Sequence, residues 1–262
     1  PFHNTPMSKV IAFEQPLNER MRTFMRVEQL YARCLCYLHK DNAWDTQYAV
    51  ATLIELSNLV TRGDLKRELL KEINRQQSTL NQLSDMPAID QHKLISINDE
   101  LASLAAQLDQ IEGQLLGNLK EHEFINGIKQ RIAIPGGACD FDLPAYHFWL
   151  TQNPHIRKDK ILSWLAPFDI VQRSVSMCLQ LVRESSRDND CVAKLGFYQL
   201  TLDPNQPNQI IRVLIDSSYQ CYPEMSAGKH RISIRFLYHA DPDGNPSQLN
   251  RDENFQLSCC SF

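Results

Sequence analysis

Glycine is scarce, at 9 of 262 residues, and no tract is dominated by one or two residue types. Collagen-like, low-complexity and disordered classes are therefore excluded. No apolar run approaches the roughly 20 residues needed to span a bilayer, and the start of the chain lacks a charged segment followed by a signal-like apolar stretch. These absences predict a cytoplasmic protein with no membrane partner. A basic surplus is missing too: 27 Lys plus Arg stand against 31 Asp plus Glu, for a net charge of −4. A generic nucleic-acid coat needs that surplus, so nucleic acid is not an expected partner, although a local basic patch stays compatible with the total. The 8 cysteines (Cys34, Cys36, Cys139, Cys178, Cys191, Cys221, Cys259 and Cys260) contain no C-x-x-C pair and form no regular disulfide framework. They read as reduced, mostly small apolar core residues. Gly136-Gly137 is not followed by Gly-Lys-Ser/Thr, no His pair has metal-ligand spacing, and neither a cofactor nor a metal is expected.

What remains is a chain with 43% apolar and 22% charged residues. At this length folding buries roughly three quarters of the surface, enough for one large domain or two modest ones. Apolar residues recur at three and four until near residue 190 and alternate thereafter, a change from helical to strand period. The expected fold is α+β: an N-terminal helical bundle domain over 7–189, with a heptad hairpin at 64–117, and a small, mostly antiparallel β-sheet domain over 190–262. Residues 1–6 precede Met7 and are read as a leader or remnant outside the fold.

Helices are predicted from Leu17–Glu19 to Leu38, Trp44 to Thr61 and Asp64 to Leu83. Gly63 is expected to end the second in a left-handed conformation and Asp64 to cap the third. Ser84-Asp85-Met86-Pro87 reads as a turn and Asp90 as the next cap. Leu94, Ile97, Leu101, Leu104, Leu108, Ile111 and Leu115 then repeat at three and four, a heptad seam over three repeats. Its partner is the preceding helix, in an antiparallel hairpin, or a second subunit, or both if the hairpin projects and a second subunit completes it. Further helices are expected at Glu121–Ile134, around His147–Leu150, at Ile161–Leu165 and at Ile170–Val182. Strands are expected at Leu195–Leu202, Gln209–Ile215, His230–Leu237 and Asn254–Cys260, the last two joined as a hairpin through Asp241-Pro242-Asp243-Gly244.

Two constellations carry chemistry. Cys139, Asp142 and His147 lie close together on a glycine loop and helix start, as a thiol- or histidine-dependent hydrolase would require. Such sites are defined by geometry, however, and a histidine beside Phe148 and Trp149 serves equally as a packing residue. The second is basic: Arg20, Arg22 and Arg26 on the first helix, Lys129 and Arg131 before the glycine loop, and Lys229, Arg231 and Arg235 on one strand. Arg231, Ser233 and Arg235 share a strand face opposite Ile232, Ile234 and Phe236. A face with two arginines does not bury against an apolar core. It meets solvent, internal carboxylates, an acidic peptide or, in a nucleic-acid adaptor, phosphates.

Phe13-Glu14-Gln15-Pro16-Leu17-Asn18-Glu19-Arg20-Met21-Arg22-Thr23, Leu69-Leu70-Lys71-Glu72, Ile134-Pro135-Gly136-Gly137, Phe141-Asp142-Leu143-Pro144, Gly228-Lys229-His230-Arg231 and Ile234-Arg235-Phe236 occur in the order found in the ZapD family. The resemblance runs from about Ser8 to Cys260. It departs before Met7, and at Ala138-Cys139-Asp140, which replaces a more cysteine-rich loop and weakens a catalytic Cys139. The resemblance implies a non-enzymatic adaptor at the mid-cell division ring. It would be a homodimer through its helical part that binds the C-terminal tail of FtsZ and bundles protofilaments. By motif it implies partner-binding roles for Arg22, Arg26, Arg131, Lys229, Arg231 and Arg235, with Arg62, Arg67 and His147 as second choices. Convergence of the helix and strand arginines on one cleft is a further expectation.

Overall fold

The computed structural model describes residues 10–61, 63–83, 90–111, 115–116, 119, 122–228, 230–239 and 244–262. The expected leader at 1–6, the turn at 84–87, Arg62, Lys229 and Asp241-Pro242-Asp243 lie outside these. The chain divides into two compact units: Pro1–Arg22 with Gln180–Phe262, and Thr23–Leu179.

The second unit is helical. It takes in most of α1 (Glu19–Leu38) and all of α2 (Ala43–Thr61), α3 (Leu65–Leu83), α4 (Gln91–Asp109), α5 (Glu123–Ile132), α6 (Pro144–Leu150) and α7 (Pro154–Leu165). A 3-10 turn at Ala166–Phe168 follows, then the first part of α8 (Asp169–Glu184). α2 is the central rod: Val50, Leu53 and Leu56 have no exposed surface, and it packs on α5, α6 and α7. The cap reading holds for Asp90, whose Oδ1 accepts from His92 N at 3.0 Å and Lys93 N at 3.2 Å, and for Asp64, which accepts from Arg67 N at 3.3 Å. Gly63, by contrast, does not take a positive φ. A glycine at that place ends the helix through its lack of helix propensity alone.

The heptad seam closes within the chain. Leu101, Leu104 and Leu108 are fully buried on α4, as are Leu69 and Ile73 on the packed α3. Lys66, at the start of α3, donates to the carbonyls of Asp109 (3.3 Å) and Ile111 (2.8 Å), fixing the antiparallel register. A lysine on those terminal carbonyls also satisfies acceptors that a helix end leaves open. α4 ends at Asp109, and Ile111 and Leu115 lie beyond that helix.

The other unit is built on strands: β1 (Val10–Pro16), β2 (Asn189–Ala193), β3 (Phe197–Thr201), β4 (Ile210–Asp216), β5 (Tyr222–Ala227), β6 (Arg231–Tyr238), β7 (Ser247–Gln248) and β8 (Glu253–Cys260). They form two antiparallel sheets, ordered β1-β4-β8-β2 and β3-β6-β5, with β7 beside β6. Ile211, Val213, Phe255 and Leu257 from one sheet meet Ile232, Ile234 and Phe236 from the other in a single apolar core. The expected hairpin of β6 with β8 does not form. β6 pairs with β3 and β5, and β8 with β2 and β4, so the two belong to different sheets. On β6 the alternation is borne out, with Ile232, Ile234 and Phe236 buried, and crossing to the second sheet lets both strands bury their apolar faces. β1 comes from the amino-terminal end. Glu14 on it pairs with Arg212 of β4 (3.0 Å) and accepts from both Nε and Nη2 of Arg183 (3.0 and 2.8 Å).

Candidate functional site

The outward face of the β3-β6-β5 sheet carries the arginines singled out above. Directly paired residues in antiparallel strands point to the same side. Thr201 lies opposite Arg231, Gln199 opposite Ser233 and Phe197 opposite Arg235 on the β3 side; Ser226 is opposite Ser233 and Glu224 opposite Arg235 on the β5 side. The buried alternates Ile232, Ile234 and Phe236 have no exposed surface, so the core anchors this strand and fixes the direction of both guanidinium groups. β3 is entered through a tight turn that requires glycine. Gly196 has φ +73°, and a side-chain carbon there would lie 2.5 Å from the Leu249 carbonyl oxygen. Its own carbonyl accepts from Phe236 N at 2.8 Å. The preceding turn is tied by Asp252, which accepts from Leu195 N (3.0 Å) and Lys194 Nζ (2.6 Å).

The two arginines differ in state. Arg235 donates to Glu224 Oε2 at 2.5 Å, in a pair about half exposed on each side. Arg231 is exposed and makes no ion pair among the described residues. It borders a depression of ≈ 570 Å³ lined by Thr201, Ser226, Gly228, His230 and Ser233. Among the described residues, no carboxylate lines it. Sequence reading found the arginines and Ser233 but missed Thr201, whose place is set by cross-strand register, and Ser226 and Glu224, because Pro223 hides the strand character of β5. The signal available was the alternation of Tyr222, Glu224 and Ser226.

The remaining predicted residues lie on other elements. Arg22 pairs with Glu19 (3.1 Å) in the first turns of α1, and Arg26, one turn on, is exposed. Arg67 pairs with Asp64 at 3.1 Å, and Arg131 approaches Asp142 only to 3.8 Å. His147 is exposed on α6 and lines, with Cys139, Trp44, Ile134 and Leu150, a groove of ≈ 560 Å³ in the helical unit. Gly136 (φ +71°) and Gly137 make its floor, and a side-chain carbon at Gly137 would fall 2.2 Å from the Arg131 carbonyl oxygen. No hydrogen bond joins Cys139 to His147 among the described residues. No cluster of three or more His, Cys, Asp or Glu suited to a metal occurs among the described residues, and none of their helices is long and apolar enough to cross a membrane.

Fold and face together define an α+β protein with a helical unit and a two-sheet unit whose β3-β6-β5 sheet carries arginine and hydroxyl groups on its outward face. The comparisons make this specific. The family model described as ZapD, cell division protein, matches residues 25–235. Cell division protein ZapD of Chromobacterium violaceum is 35% identical over 253 residues, covering 97% of this chain and 100% of its own. That of Methylococcus capsulatus is 37% identical over 254 residues, covering 97% and 99%, and that of Nitrosomonas europaea 32% over 259 residues, covering 99% and 98%. The chain belongs to the ZapD family, and its role is in cell division.

Proposed function

We propose that this chain is a division-ring adaptor that binds the C-terminal tail of FtsZ and, as a homodimer through its helical part, cross-links FtsZ protofilaments in the cytoplasm at mid-cell. The observation that carries the reading is Arg231, which among the described residues is an exposed cation without a counter-ion, beside a depression lined by no carboxylate of those residues. Arginine suits such a role because its planar fork binds carboxylate bidentately. Arg235, Lys229, Arg22, Arg26 and Arg131 are the further contact positions, followed by Arg62, Arg67 and His147. Two tail sites per dimer would give bundling: the first contact raises the effective concentration for the second, and avidity exceeds single-site affinity by about 10²-fold.

The test is titration of a fluorescent FtsZ tail peptide at two salt concentrations, with mass measured by light scattering. Saturable, salt-weakened binding by a dimer is expected. Absence of binding at both salts contradicts the adaptor reading.

A further inference from the structure

Arg231 and Arg235 stand four residues apart on one face of β6, about 13 Å along an extended strand. Only one of them is available. Arg235 is held by Glu224 at 2.5 Å, whereas Arg231 faces the hydroxyls of Thr201, Ser226 and Ser233. Those three hydroxyls have no side-chain hydrogen-bond partner among the described residues. We infer that this sheet face is a two-position carboxylate platform for an extended acidic peptide, with Arg231 and its hydroxyls open and Arg235 masked by Glu224 as a built-in competitor.

The inference deepens the tail-adaptor reading and rests on it for the identity of the natural partner. Its chemistry rests on the sheet. Hydroxyls can each donate to a carboxylate oxygen while Arg231 supplies the charge, so the open position recognises a peptide carboxylate by donors alone. Phe197, 40% exposed and directly opposite Arg235, gives the second position an apolar neighbour. A ligand with an acidic residue four positions from a second acidic residue, and an apolar side chain beside the second, matches the face. To reach Arg235 it must displace Glu224. An exposed pair is worth at most about 1 kcal/mol, so the mask lowers affinity without closing the site.

The experiment measures binding of a fluorescent FtsZ tail peptide, and of the same peptide with Asp and Glu replaced by Asn and Gln, to wild type and three surface variants. Glu224→Gln should tighten binding by about fivefold and steepen its salt dependence, since it frees a second cation. Misfolding cannot produce that gain. Arg231→Gln should weaken binding about 30-fold, and Thr201→Val about threefold. The neutral peptide should bind no variant better than another. If the wild type binds neither peptide, the tail-adaptor reading fails. If it binds the acidic peptide but Glu224→Gln and Arg231→Gln leave affinity unchanged, the platform alone is overturned. Displacement by inorganic phosphate at concentrations too low to alter ionic strength would reassign the depression to a phosphate ligand.

Discussion

Arg157 illustrates how a single residue can organise a whole region of the helical unit. It is 5% exposed, yet the partners of its guanidinium are neutral: Thr46 Oγ1 and the carbonyls of Leu150, Gln152 and Asp41. It thereby joins the start of α2, the end of α6 and the turn after α1, which include two walls of the groove containing Trp44 and Leu150. Removing it leaves four acceptors unsatisfied, and Arg157→Met should destabilise the protein by about 3 kcal/mol in urea unfolding. The cysteines separate by the same criterion of exposure. Cys36 and Cys139 are exposed, whereas Cys34 and Cys178 have no exposed surface. Mass-resolved alkylation of the native protein should therefore modify Cys36 and Cys139 first and reach Cys34 and Cys178 only on unfolding. Modification of Cys34 at the rate of Cys36 would contradict its place in the core.

Among elements, legibility followed the strength of the local pattern. α1 and α2 were readable from apolar spacing, α3 and α4 from that spacing together with the Asp64 and Asp90 caps, and each of those helices begins within a residue or two of its predicted start. β1, β2 and β5 escaped because they are short or half polar: β5 contains Pro223 and β1 precedes a helix start without a turn signal. The β6 to β8 hairpin was misread for a different reason. Neighbours in sequence were taken as neighbours in space, and local alternation carries no information about which of two sheets a strand joins. The candidate site was half legible for the same cause: Arg231 and Arg235 share a visible alternating strand, while Thr201, Ser226 and Glu224 reach them only through the cross-strand register. The heptad seam left its partners open, and Lys66 on the end of α4 fixes the register of the intramolecular pairing. Leu101→Ala should consequently cost about 3 kcal/mol of stability and leave the mass in light scattering unchanged. A fall in oligomeric mass would assign the seam to a subunit interface.

For the molecule as a whole, charge and titration set the conditions of operation. Asp41 is held below its ordinary 3.8 by the hydrogen bond from Lys158, and Asp252 by those from Lys194 and the Leu195 amide. A depressed carboxylate contributes stability above its unfolded value that disappears as pH falls through the folded one. Both groups are exposed, so the acid arm should be shallow. At the alkaline end, burial pushes the Cys34 thiol from 9.0 to about 12, and burial aided by the Cys191 hydrogen bond pushes Tyr198 from 10.0 to about 12. The folded state keeps these protons after the unfolded chain has lost them. Stability from this source is intact below about pH 9 and declines toward pH 12, so the urea midpoint should be lower at pH 10.5 than at pH 8. With a net charge of −4, attraction to an acidic partner must come from a local face and not from the total.

That claim is tested most directly by co-sedimentation of FtsZ polymers with this protein, comparing full-length FtsZ with FtsZ lacking its C-terminal tail, and wild type with Arg231→Gln. The account predicts bundles that pellet only with the tail present and are much reduced by Arg231→Gln. Equal pelleting of full-length and tail-less polymers, undiminished by Arg231→Gln, would contradict it.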